Sequence, residues 1–197
     1  MLIKRCFDFF AALIGLILLS PLFLWISCRI KLDSSGPVFF RQERVGKNNK
    51  LFRIFKFRTM TTDSESKGQI TVGRDARITN VGHVIRRYKL DELPQLLNVL
   101  SGDMSLVGPR PEVPRFIACY PVDIRNIVLS VPPGITDWAS IEYKDESTIL
   151  GRATDAEQAY MTEILPVKMK YYVRYVQERS FGMDLKIIFR TLWVIIK

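Results

Sequence analysis

A run of 20 residues without a charge, FFAALIGLILLSPLFLWISC from Phe9 to Cys28, constrains this chain more than any other feature. As a helix it extends about 30 Å at ~1.5 Å per residue, the thickness of a bilayer core. A cleaved signal peptide ends in a small-x-small site before a hydrophilic start. None follows Ser20-Pro21, where the apolar run continues, so the segment is expected in the mature protein. Lys4 and Arg5 precede it and Arg29 and Lys31 follow it, a distribution that draws both ends to the cytoplasmic side. Pro21 removes a backbone donor and clashes with the preceding turn, while Ser20 can satisfy a freed backbone group, so a bend is expected there. The arms 9–19 and 22–28 are each too short to cross but long enough to dip in and return. A re-entrant helix-break-helix fits this pattern, and a tilted, kinked spanning helix is the alternative.

The other residues resemble one ordinary domain. Of the 197 residues 48% are hydrophobic, enough for a core, and 29 Lys and Arg against 20 Asp and Glu give a net charge of +9. An anionic partner follows: nucleic acid, an acidic membrane surface or a phosphorylated substrate. Cys6, Cys28 and Cys119 have no CxxC spacing, which argues against a disulfide framework or zinc site and fits a reducing compartment. With His83 as the single histidine, histidine metal clusters and Ser-His triads are nearly excluded, and His83 itself reads as a surface or packing residue.

Val38 to Arg44 and Leu51 to Met60 read as strands joined by the turn-rich GKNN, a β-hairpin. Thr61 to Arg77 is polar without a period and reads as a surface loop. Asn80 to Tyr88 reads as a short helix ending in a basic pair. In LDELPQLLNVLSG, Leu93, Leu96, Leu97 and Leu100 recur at helical spacing, Gly102 supplies a stop, and Asp91 falls at the expected N-cap with Pro94 in the first turn. Near the C-terminus, Thr154 to Glu157 matches a capping box and Pro166 restarts a helix. In the closing MDLKIIFRTLWVIIK, Leu185, Ile188, Leu192 and Ile195 or Ile196 mark the apolar stripe of a core or interfacial helix, with Trp193 at the headgroups in the latter case. The fold class is α+β: an anchor over 1–30 and a mostly helical catalytic domain over 31–197.

The carboxylate pair Asp91-Glu92 admits two readings. Both residues suit a helix start and its dipole. They also stand among fixed cations: Arg86 and Arg87 upstream, Lys56 and Arg58 on the hairpin, and Arg110 between two prolines in GPRP, as a phosphate clamp requires. One carboxylate can then hold Mg²⁺ while the other attacks a phosphorus.

KRCFDFFAALIGLILLSP, GPVFFRQERVG, FKFRTM, LDELPQLLNVLSGDMSLVGPRP and PPGIT, in this order, resemble the bacterial sugar transferases, monotopic phosphoglycosyl transferases that load sugar-1-phosphate onto polyprenyl phosphate. The resemblance is dense from Lys4 to Thr136. It implies a re-entrant helix broken at Ser20-Pro21 in the bacterial inner membrane, with the catalytic domain on the cytoplasmic face. It implies Asp91 as the nucleophile that expels UMP from a UDP-sugar, Glu92 as the Mg²⁺ ligand, and a covalent phosphosugar enzyme that passes its load to undecaprenyl phosphate, the first membrane step of glycoconjugate assembly. Arg86 and Arg110 match anion-contact positions, and Arg58 is a further substrate phosphate-binding candidate. The expected partners are UDP-sugar, polyprenyl phosphate and membrane lipid, with no nucleic acid. After PPGIT, where many members continue with Gly, an Ala-Gln pair and Asn-Gly-Arg, this chain reads DWASIEYKDE over Asp137 to Glu146, expected to border the sugar pocket. The resemblance also implies the small class of the family, without a preceding four-helix domain.

Two rivals remain at this point. A membrane-tethered basic binding module lacks an RNA signature and a helix-turn-helix. A membrane phosphatase would release free phosphate without a sugar nucleotide.

Overall fold

The computed structural model describes residues 2–62, 75–143 and 146–196, so the expected loop over 61–77 lies mostly outside the described residues. α1 (Leu2–Asp33) is a single 32-residue helix that runs through Pro21. The break expected at Ser20-Pro21 is therefore not an interruption of the helix. Ser20 Oγ donates to the Ile17 carbonyl at 2.8 Å, the acceptor that Pro21 has no N–H to reach. Side chains on both sides of Pro21 also pack on the same domain.

β1 (Phe39–Val45) and β2 (Leu51–Phe57) form the expected antiparallel hairpin, Phe39 opposite Phe57 and Val45 opposite Leu51. Its connection passes through Asn48 and Asn49 in the left-handed region, which asparagine tolerates. α2 (Asn80–Arg87) is capped by Thr79, whose hydroxyl accepts from Gly82 N, and it exposes His83. A 3₁₀ turn (Leu90–Gln95) leads into α3 (Leu96–Ser101), which Gly102 ends at φ 91°. β3 (Ser105–Val107) pairs in parallel with β4 (Gly134–Thr136) across the short helices α4 (Pro114–Ile117) and α5 (Val122–Val128). This pair was not expected from the sequence. It depends on a close backbone approach, since a Cβ on Gly134 would stand 2.1 Å from Gly108 N. α6 (Trp138–Glu142), α7 (Glu146–Leu150) and α8 (Ala156–Ala159) follow, then a π turn (Tyr160–Ile164), α9 (Leu165–Glu178) and α10 (Phe181–Ile196). The α8 cap is Asp155, which accepts from Glu157 N and Gln158 N, so the expected capping box at Thr154 is displaced by one residue.

The largest core cluster joins α4, α5 and α9 through Phe116, Ile117, Leu129 and Tyr172. Two smaller clusters seat α1 on the domain. Ala12, Leu16 and Leu19 pack with Phe52, Ile54, Leu96 and Val99, and Leu22, Phe23, Ile26 and Ile30 pack with Phe57 and Ile85. The other face of α1 leaves Phe10, Ile14, Ile17, Leu18, Leu24 and Trp25 exposed. By length and composition α1 is sufficient to cross a membrane. α10 buries Asp184 and Ile187, so its packed face is rotated from the stripe expected on Leu185 and Leu192, and Phe189, Leu192 and Trp193 are exposed.

Candidate active site

The site forms where the 3₁₀ turn meets β2. Asn98, fully buried on α3, explains the placement: its Oδ1 accepts from Phe55 N at 2.8 Å and its Nδ2 donates to Arg53 O at 3.0 Å, so the side chain acts as a further strand segment on the edge of β2. Lys56, between Phe55 and Phe57, is thereby set against the turn. Its Nζ donates to Glu92 Oε1 at 2.8 Å.

From the other side comes Arg110, in the GPRP segment after β3. Nη1 donates to Glu92 Oε2 at 3.3 Å and Nη2 to Oε1, a bidentate pair. The backbone around Arg110 is held on three sides: Gly108 N donates to Thr136 O, Gly134 N to Pro109 O, and Arg44 Nη1 to Pro111 O. The prolines and these bonds fix the guanidinium's origin, as the sequence suggested.

Asp91 is not the helix cap. The cap position is Lys89, in the left-handed region at φ 54° and without a side-chain cap bond, and Asp91 lies inside the 3₁₀ turn. The reason is the left-handed Lys89, which starts the turn two residues before the expected cap. Asp91 is 9% exposed, and its side chain receives no hydrogen bond among the described residues. Burial pushes its carboxyl above the ordinary range, offset in part by Lys56, while the Glu92 charge adds to the rise. Glu92 moves the opposite way. Burial opposes its ionisation, but Arg110 and Lys56 together hold it well below the usual carboxylate range. The pair is thus divided into a locked anion and an unengaged carboxylate, a difference set by partners rather than by residue type.

Of the expected anion contacts, Arg110 is at the dyad and Arg86 acts on Asp91 electrostatically while its Nη1 reaches Thr59 Oγ1 at 3.4 Å. Arg58 is directed elsewhere. All three of its guanidinium nitrogens bond Ser34 and Pro37 after α1, which ties the anchor to the end of β2. Lys56, read from the sequence only as one of the cations in the company of the dyad, is the residue that the fold adds to the site. Its signal was the lone lysine between two phenylalanines of a strand, visible only once the partner carboxylate was placed.

No group of three or more His, Cys, Asp or Glu residues among the described residues can enclose a metal. Glu92 still suits Mg²⁺, which takes one or two protein carboxylates when substrate phosphates and water complete its shell. Asp137, from the divergent segment, caps α6 through Ser140 N at 3.0 Å and Ser140 Oγ at 2.7 Å, and it acts electrostatically on Arg110. The segment expected at the sugar pocket is therefore coupled to Arg110 by charge.

The profile of the bacterial sugar transferase family matches residues 1–197. The UDP-N-acetylgalactosamine-undecaprenyl-phosphate N-acetylgalactosaminephosphotransferase of Aeromonas hydrophila is 42% identical over 200 residues, covering 98% of this chain and 44% of the relative. The UDP-glucose:undecaprenyl-phosphate glucose-1-phosphate transferase of Escherichia coli (strain K12) is 38% identical over 197 residues, with 98% and 40% covered. A Bacillus subtilis (strain 168) protein described as a putative undecaprenyl-phosphate N-acetylgalactosaminyl 1-phosphate transferase is 48% identical over 133 residues, with 67% and 74% covered. The chain spans less than half the length of the first two. With its profile matched from end to end, the chain belongs to the bacterial sugar transferase family.

Proposed function

We propose that this protein is a phosphoglycosyl transferase that moves sugar-1-phosphate from a UDP-sugar to polyprenyl phosphate, undecaprenyl phosphate by analogy with its relatives, through a covalent adduct on Asp91. The observation that carries the reading is the division of the dyad: Glu92 is closed by Lys56 and Arg110, whereas the Asp91 carboxylate receives no hydrogen bond among the described residues. A carboxylate whose lone pairs are unengaged is a competent nucleophile. A structural cap is not left in that state.

In the first step an Asp91 oxygen attacks the sugar-linked phosphorus, the new O–P bond forms and the bond to the UMP oxygen breaks. Arg110 is placed to receive the charge that grows on the leaving phosphate, and its planar fork suits two phosphate oxygens. Arg86 adds positive charge on the Asp91 side. In the second step an oxygen of the lipid phosphate attacks the same phosphorus, the Asp91 O–P bond breaks and the carboxylate is restored. Glu92 would hold Mg²⁺, which would supply neutralisation of the diphosphate charge.

The contacts of α1 support a membrane-dipping anchor. Arg5 donates to the Val99 and Leu100 carbonyls at the end of α3, Lys4 pairs with Asp184 on α10, and Asp33 accepts from Val81 N on α2. Both ends of the helix are thus tied to the domain that carries the dyad. That arrangement favours a re-entrant helix at the inner membrane with the catalytic domain on the cytoplasmic face, where lipid phosphate and sugar nucleotide meet.

The test is intact-protein mass after mixing the full chain with Mg²⁺ and UDP-N-acetylgalactosamine or UDP-glucose, without lipid acceptor. A sugar-phosphate adduct on Asp91 is expected, discharged by added undecaprenyl phosphate. Normal turnover by Asp91→Asn, or an adduct on another residue, removes the assignment.

A further inference from the structure

Both oxygens of Glu92 are engaged by cationic side chains, Oε2 by Arg110 and Oε1 by Arg110 and Lys56. A divalent cation needs the same lone pairs, so it competes with these two residues. They are not equally held. Lys56 lies on the paired strand β2 with its side chain 17% exposed, whereas the Arg110 side chain is 28% exposed and leads from a turn whose backbone is fixed. Arg110 can leave Glu92 by side-chain rotation alone. What draws it away must offer a better bidentate acceptor, and a diphosphate does.

Charge balance points the same way. Lys56, Arg86, Lys89 and Arg110 act on the two carboxylates of the dyad, so the free site does not call for another cation. A bound diphosphate adds negative charge and reverses that balance.

We propose that Arg110 gates the cation site: it closes on Glu92 in the free protein and moves to the diphosphate of the incoming nucleotide sugar, which opens Glu92 to a divalent cation. This rests on the phosphoglycosyl transferase reading of the dyad. The gate makes cation and nucleotide binding mutually dependent, each raising the affinity of the other by one factor. Lys56 stays on Glu92 throughout as a positioning residue.

Mn²⁺ binding to the full-length chain in detergent, followed by electron paramagnetic resonance without nucleotide, tests the gate. Arg110→Gln removes the competitor and is expected to raise Mn²⁺ affinity about 10-fold over wild type, within the usual span of such couplings. Adding Glu92→Gln to that variant abolishes the gain. Arg110→Lys, which keeps one charge on the same turn, gives a smaller gain and carries the test if Arg110→Gln does not melt cooperatively. Failure of both variants to gain affinity, or a gain that survives Glu92→Gln, overturns the gate. Transfer from UDP-sugar to undecaprenyl phosphate is measured on the same wild-type preparation. Transfer without the affinity gain rejects the gate alone, and the gain without transfer rejects the functional reading on which it rests.

Discussion

Ser20 Oγ lies 2.8 Å from the Ile17 carbonyl oxygen and occupies the hydrogen-bond position that Pro21 vacates. In an apolar surrounding an unpaired carbonyl costs ~1–3 kcal/mol, so this contact bears on the stability of the middle of α1. Ser20→Ala is expected to lower the melting temperature of the chain in nanodiscs. Pro21→Ala restores the backbone donor, so the Ser20→Ala cost should largely vanish in the double variant. Strictly additive effects would show that the two residues do not share one acceptor.

Arg5 and Asp33, near opposite ends of α1, both bond elements of the catalytic domain. Cysteines introduced beside them should therefore be labelled from the same side of sealed vesicles. The background must lack Cys6, Cys28 and Cys119, all exposed and free. Labelling of the two ends from opposite sides would contradict the re-entrant reading and restore the spanning helix.

Local patterns carried well from sequence to structure. The hairpin was legible because alternation and the GKNN turn are short-range signals, and Gly102 because a left-handed stop favours glycine. The parallel pairing of Ser105–Val107 with Gly134–Thr136 was not, since three-residue strands have no measurable period and their contact depends on two distant glycines. Asp91 was read as a cap because Asp before an apolar periodic run is the ordinary start of a helix. The left-handed Lys89 overrode that preference and left the carboxylate unengaged. Arg58 was read with the phosphate ligands on its charge and on the family resemblance, yet its fork is committed to Ser34 and Pro37. Sequence identifies which charges cluster, but only the fold says which of them face each other.

Asn98 joins α3 to the edge of β2 through two bonds, to Phe55 N and Arg53 O. Asn98→Ala removes the partner of Phe55 N and leaves Arg53 O with only its long contact from Arg41 Nη2, at a cost of about 1–3 kcal/mol. Because the same bonds set Lys56 against Glu92, the variant should lose UMP release by more than its folded fraction explains. Asn98→Asp keeps the acceptor for Phe55 N but faces Arg53 O with a second acceptor, and should fare no better. Denaturant melts alongside initial rates check both. Activity that simply tracks the folded fraction would reduce Asn98 to a structural residue.

Asp137 links the divergent segment to protein stability as a function of pH. Burial raises its carboxyl above the ordinary value, against the lowering effect of the Ser140 bonds and of Arg110 and Lys168. The folded state therefore binds this proton more tightly than the unfolded chain does. Its contribution to stability is full below the unfolded value of ~3.9, falls as pH rises towards the raised folded value, and is lost above it. Asp137→Asn keeps an acceptor for Ser140 N and cannot ionise, so it removes this slope. Relative to wild type, the variant is expected to gain stability steadily from pH 4 upward, by about 1.4 kcal/mol for each unit by which folding raises the carboxyl. In a chain of this size that is a shift of roughly 2–4 °C per kcal/mol in melting temperature. Melting curves of both proteins at pH 4, 5, 6 and 7 decide the matter. A difference that stays constant across the series, or that moves against the variant as pH rises, would mean that Asp137 is held ionised in the fold and that its Arg110 and Ser140 partners outweigh burial.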